Sequence, residues 1–159
     1  MNESEFLTFK NSSELDTFFS ELFHQEIDNL ESLENWIHEW SKLDAIASDD
    51  GKKRYLQMAC FTENESYEKS WNHFLEEIQP TLRKWQQEFR IKLLSSPLKD
   101  ELSSETYSQF LSRLQAQIDV FSEENLKLET DVGKLTKEYQ KICGSLKAPF
   151  KGEDTLLIN

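Results

Sequence analysis

Proline and glycine are scarce and late in this 159-residue chain, which has three of the first and four of the second. No proline precedes Pro80, and no glycine lies between Gly51 and Gly133. That leaves too little turn chemistry for a β-sandwich and no Gly-rich phosphate loop. Cys60 and Cys143 stand far apart without a C-x-x-C pair and read as two reduced thiols of a cytosolic protein. No stretch approaches the ~18 consecutive apolar residues of a membrane span. The opening Met-Asn-Glu-Ser-Glu-Phe has neither the basic flank nor the apolar run of a signal peptide. The Asn-x-Ser matches at Asn2, Asn11 and Asn64 therefore carry no expectation of glycosylation. Basic residues are short as well: 18 Lys and Arg face 30 Asp and Glu, for a net charge of −12. Nucleic acid and anionic membrane share that sign and are excluded as partners. Residues 1–50 hold thirteen acids and two lysines, so the acidity sits at one end and favours cationic partners.

The apolar fraction of 37% predicts a thin core and an elongated shape. Its spacing is helical throughout. Ser13 and Asp16 resemble a cap that opens a helix carrying Leu15, Phe18, Phe19, Leu22, Phe23 and Ile27. A second pattern runs Leu30, Leu33, Ile37, Trp40, Leu43, Ala47 and resumes with Tyr55, Met58 and Ala59. Asp49-Asp50-Gly51 between them is read as helical continuity, because an internal Gly costs only ~1 kcal/mol. Thr62 to Glu65 supply caps and first-turn acids for a third helix with the seam Tyr67, Trp71, Phe74, Ile78, Leu82, Trp85 and Phe89. The seam stays in phase across Pro80, which predicts a kink rather than a break. Ser95-Ser96-Pro97 ends it. A fourth helix opens near Ser103 or Ser104 and buries Tyr107, Phe110, Leu111, Leu114, Ile118 and Phe121. A fifth repeats Leu128, Val132, Leu135, Tyr139, Ile142 and Leu146 in alternating steps of four and three, like a coiled-coil seam. Gly144 reads as its left-handed cap. The expected fold is all-α, a bundle of about five long helices over 1–146. Residues 147–159 form an extended or turn-like segment, then a truncated helix start at Glu153-Asp154-Thr155.

Candidate reactive groups are few. His38-Glu39-Trp40-Ser41-Lys42 comes within one residue of H-E-x-x-H, but Lys42 stands where the second imidazole must be, so no zinc site is read there. His24 and His73 have no ligand partner four residues away. Cys143-Gly144-Ser145 faintly matches a papain-type stretch, yet every histidine lies upstream of it. Glu76/Glu77 and Glu123/Glu124 are adjacent on helices and diverge by about 100°, so they read as solvated faces. Core packing accounts for Trp36, Trp40, Trp71 and Trp85, with a groove-lining role the alternative. No catalytic, cofactor or metal residue is assigned.

A series of short signatures remains. Trp36-Ile37-x-x-Trp40-Ser41-x-Leu43 is followed by Tyr55-Leu56-Gln57-Met58-Ala59-Cys60-x-Thr62, Ile78-x-Pro80 and Lys92-Leu93-Leu94-Ser95-Ser96-Pro97. Then come Phe121-Ser122-Glu123-Glu124-Asn125-Leu126-x-Leu128-Glu129, Tyr139-Gln140-Lys141-Ile142-x-Gly144 and Phe150-x-Gly152-Glu153-Asp154-Thr155-Leu156. In this order they resemble the N-terminal helical region of oligoendopeptidase F, a zinc peptidase related to the thimet-oligopeptidase group. Lys127 departs from it, standing where a proline is usual, and so does Asn64, where an acid is usual. The resemblance implies helices that form one wall of a deep channel admitting short peptides. It also implies zinc and catalysis from an H-E-x-x-H helix far downstream, which this chain lacks. The chain is therefore expected to be inert alone, a split or truncated form without a cofactor of its own. A complementary catalytic half would dock at the apolar tip Leu156, Leu157 and Ile158. The competing expectation is a stand-alone acidic module whose first helices or fifth-helix seam bind a basic or helical partner.

Overall fold

A computed structural model describes residues 8–150 and 153–156, with side chains as far as Pro149. Helix α1 (Ser12–Phe23) begins where the Asn11 side chain accepts the Glu14 N–H at 2.9 Å. The cap is thus Asn11 and not Ser13, which lies inside the first turn. Asparagine in extended backbone caps as well as serine, and both signals stand side by side here. The helix stops before Ile27, and Lys92 binds at its end. The Lys92 ammonium donates to the Phe23 carbonyl and, at 3.1 Å, to that of Gln25. A cation suits the negative end of a helix.

Helix α2 (Leu30–Cys60) opens with a reciprocal Asn29–Ser32 capping box and runs 31 residues without interruption. It spans about 46 Å at 1.5 Å per residue. The expected continuity through Gly51 holds, for a packing reason. A Cβ at Gly51 would lie 2.5 Å from Phe74 Cζ, so the α2 backbone must be bare for that ring to approach. The preceding residue, Asp50, is buried and paired with Arg54 at 2.9 Å.

Asn64 caps α3 (Glu65–His73) by accepting the Ser66 N–H at 3.0 Å. The rod then passes through a π turn (Phe74–Ile78) into α4 (Gln79–Ser95). Pro80 explains the wide turn. In a regular helix its ring would clash with the Glu76 carbonyl, and inserting one residue opens the backbone just ahead of it. The Gln79 N–H accordingly reaches back five residues to the Phe74 carbonyl. The same shift makes both Phe74 and Leu75 inward-facing, 5% and 2% exposed, on two sides of the rod.

A 3-10 turn (Pro97–Glu101) leads to α5 (Ser104–Asp119) and then α6 (Glu123–Ser145). The main core lies between α1, α2 and α4, with α5 closing one side and contributing the buried Leu114. Tyr107, Phe110 and Leu111 pack partly buried against it. Gly144 is a correction: α6 continues through it to Ser145 and ends at Leu146 in extended backbone, with no left-handed residue.

The second correction lies after α6. Lys147–Phe150 (β1) pairs antiparallel with Glu153–Leu156 (β2), with Lys147 opposite Leu156 and Phe150 opposite Glu153. Glu153-Asp154-Thr155 is therefore a strand rather than a helix start. A cap signature needs a following helix to stabilise, whereas β1 offers these residues a ladder across a two-residue x-Gly connection. The long elements remain those of an all-α bundle. Among the described residues no helix is long and apolar enough to cross a membrane.

Candidate docking face

Helix α6 carries two seams on opposite sides, and their polarity is the reverse of an ordinary amphipathic helix. The inward seam is Leu126, Thr130, Gly133, Lys137, Gln140 and Gly144, which is mostly polar or small. Thr130 Oγ1 lies 3.2 Å from the Leu75 carbonyl and 3.1 Å from that of Leu126. The first contact follows from the π turn: a π-type donor for that carbonyl would be the N–H that Pro80 lacks. Gly133 lies against Leu75, whose Cδ2 would stand 2.9 Å from an added Cβ. Lys137 donates to Glu68 at 3.0 Å and Asn72 at 3.3 Å, and Gln140 donates to the Tyr55 hydroxyl.

Flanking charges complete the attachment. Lys134 pairs with Glu76 at 2.6 Å, Lys141 with Glu68 at 3.4 Å, and Arg83 of α4 with Glu129 at 3.1 Å. The hydrogen bond from Lys137 holds the Glu68 carboxyl below its usual 4.5, against the opposing effect of burial. Lys134 does the same for Glu76. A carboxylate depressed in the folded state contributes stability that is complete above its unfolded value and fades as pH falls through the folded one. Acid is therefore expected to lower the thermal midpoint from about pH 5 downward. In a Lys137→Met variant, which gives up the largest cause at Glu68, that acid limb should flatten. A midpoint profile with the same acid limb in both proteins would contradict this account of the clamp.

The outward seam is Leu128, Val132, Leu135, Tyr139, Ile142 and Leu146. Their exposures run from 47% for Leu146 to 67% for Tyr139, on the side of the helix opposite the inward seam. Six large apolar side chains at steps of four and three make one continuous stripe, about 27 Å long over eighteen intervals of 1.5 Å. Scattered exposed apolar residues are ordinary, whereas these six form an aligned row. Glu124, Asp131 and Glu138 border one side of it, all exposed. Glu129, Thr136 and Cys143 border the other. The Cys143 thiol, by hydrogen bonding and charge, raises the neighbouring Tyr139 phenol above 10.0.

The remaining sequence candidates are dispersed. His24 Nδ1 donates to the Ser20 carbonyl at 2.8 Å, His73 Nε2 to that of Lys10 at 2.8 Å, and His38 is exposed. Glu77 faces His73, while Glu76 faces Lys134, so the adjacent acids do separate work. Cys60 and Cys143 are both free thiols. No group of three or more His, Cys, Asp or Glu among the described residues is arranged to hold a metal ion. Of the tip residues, Leu156 ends β2, and Leu157 and Ile158 lie outside the described residues. The outward placement of the fifth-rod seam was not legible from periodicity, since both of its seams repeat in steps of four and three. Only the Thr, Gly and Lys that α3 and the π turn accept distinguish the inner one.

These features define an all-α bundle with an exposed apolar stripe along α6. Comparison with known families is more specific: the Peptidase M3 N-terminal domain matches residues 8–121, and the chain belongs to that family. The matched segment covers α1 to α5, so α6 and the hairpin follow it. No curated protein and no solved structure matches the chain.

Proposed function

We propose that this chain is the non-catalytic N-terminal segment of an oligoendopeptidase-F-like zinc metallopeptidase. Its helices would form part of a channel wall for short peptides, and the outward seam of α6 would be the surface on which the catalytic part packs. Membership of the Peptidase M3 N-terminal family supports the first half. The exposed seam carries the second, because a row of Leu, Val, Tyr and Ile facing water is stabilised only by a covering surface. Burying the 47–67% of each side chain that is still exposed would contribute roughly 1–2 kcal/mol per residue before association entropy is met. The tip Leu156, Leu157 and Ile158 would be a further docking point for the catalytic part. Zinc and the general base would be supplied by the catalytic part, since the sequence contains no H-E-x-x-H.

The experiment is co-expression with a family catalytic part, reading complex formation and peptide hydrolysis together. Val132→Glu and Leu135→Glu should leave the stability of this chain within about 0.5 kcal/mol, both positions being exposed. They should abolish capture of the catalytic part and the activity that depends on it. Retained capture by the doubly substituted chain would remove the seam from the proposal. The acidic borders Glu124, Asp131 and Glu138 favour a second reading, an interaction module for a helix with basic flanks. Binding of such a peptide at the seam, with no capture of the catalytic part, would select that reading.

A further inference from the structure

The four tryptophans divide by what their indole N–H groups meet. Trp36 Nε1 donates to the Leu22 carbonyl at 2.9 Å, and Trp85 Nε1 to Asp16 at 2.7 Å. The buried Nε1 atoms of Trp40 and Trp71 have no partner, and Trp40 is only 6% exposed. An unpartnered buried donor carries a desolvation cost of about 1–3 kcal/mol and is rare in folded proteins. Trp40 lines a crevice of about 360 Å³ between α2, α4 and α5. Arg90 lines the same crevice, and its Nε is likewise buried without an acceptor.

The neighbouring acid does not answer for either donor. Asp44 accepts from Gln86 Nε2 at 2.5 Å, and Gln86 Oε1 accepts from Arg83 at 3.2 Å. Arg83 then turns outward to Glu129. Asp44 acts on Arg90 through space, while Arg83 opposes it. Burial lowers the Arg90 guanidinium below its usual range, with Asp44 offsetting part of the effect. Ile37, Phe110 and Leu114 are the other apolar residues of a lining that also includes Asp44, Ser41, Ser48 and Gln117.

We infer that the α2–α4–α5 crevice is a binding site for a small carboxylate with an apolar body. The Arg90 fork and the Trp40 indole N–H would hold the carboxylate, and Ile37, Phe110 and Leu114 would hold the body. Guanidinium geometry matches a carboxylate in two parallel bonds, and the volume lies within the ~300–1,000 Å³ of small-ligand sites. This site stands apart from the α6 seam and does not depend on the proposed peptidase assembly.

Isocaproate is the probe, titrated into the full chain alongside inorganic phosphate. Two readouts are followed: the thermal midpoint, and the four indole N–H signals in a 15N-labelled sample. Expected is a saturable rise in midpoint with a shift confined mainly to one indole signal, the one that Trp40→Phe removes. Arg90→Gln should weaken binding about tenfold or more, and Arg113→Gln, on the exposed side of α5, should not. The indole readout is taken on the unsubstituted chain, so it stands even if the Arg90 variant unfolds. No saturable response, or an unshifted Trp40 signal, would overturn the site and leave water as the partner of both donors. An equal response to phosphate would overturn the assignment of an apolar-bodied carboxylate.

Discussion

Asp50→Ala is expected to destabilise the chain by about 3–5 kcal/mol, the cost of removing one partner from a buried ion pair. The Asp50 and Arg54 side chains are 1% and 13% exposed, and they meet through two bonds, Nε to Oδ1 at 2.9 Å and Nη2 to Oδ2 at 3.0 Å. The pair is also a junction. Asp50 Oδ2 accepts the Phe9 N–H at 3.3 Å, and Arg54 Nη2 donates to the Phe9 carbonyl at 2.7 Å. Arg54 Nη1 donates to Ser70 Oγ at 3.2 Å, so one guanidinium joins the segment before α1, helix α2 and helix α3. With the carboxylate gone, the cation keeps its neutral partners but loses its counter-charge in a poorly solvated place. Urea denaturation measures the loss. The double variant Asp50→Leu/Arg54→Met should recover much of it, because two apolar groups leave no charge unanswered. A single-variant cost below about 1 kcal/mol would show that water already screens the junction.

The second large effect is expected at Phe89. This ring is fully buried and stacks on Trp36 at a centroid distance of 5.1 Å and an interplanar angle of 11°. It meets Phe19 edge-on at 5.8 Å, and Phe23, Trp40 and Trp85 also surround it within 6.2 Å. Side chains from α1, α2 and α4 therefore converge on one residue. Truncating a buried Phe to Ala costs about 3–5 kcal/mol, combining lost transfer energy with the cavity left behind. The upper part of that range is expected here, because five large rings cannot all collapse into the space. Phe89→Leu should cost clearly less, and a loss for Phe89→Ala under about 2 kcal/mol would mean that the cluster repacks.

The helical rods were legible in the sequence because their apolar spacing is long and regular, and in all but α6 the tertiary contacts act along the same faces. The helix start at Asn64 and the helix end at Ser95-Ser96-Pro97 follow directly from local chemistry. The start of α1 was ambiguous because Asn11, Ser12 and Ser13 are all competent caps. Glu153-Asp154-Thr155 was misread as a helix start because its partner strand is what makes it extended, and pairing is not a property of the segment alone. The π turn was half visible. Pro80 announces a disturbance, but whether the helix bends or takes in a residue depends on what Phe74 and Leu75 pack against on either side. Of the crevice around Trp40 and Arg90 the sequence offered only the alternative of a groove-lining tryptophan. Its residues come from three helices, and an orphaned indole N–H is visible only once every neighbour has a place.

That wide turn has a consequence for how the chain tolerates changes in length. A residue gained or lost elsewhere in the Glu65–Ser95 rod rotates everything beyond it by about 100° and turns a buried face outward. Between Phe74 and Ile78 the rod already holds one residue more than a regular helix needs. A deletion there can be absorbed by closing the turn, leaving Trp71 on one side and Phe89 on the other still aimed at their own neighbours. Closing it, however, brings the Pro80 ring back against a carbonyl. The extra residue and the proline are thus coupled, and relatives that lose one are expected to lose the other.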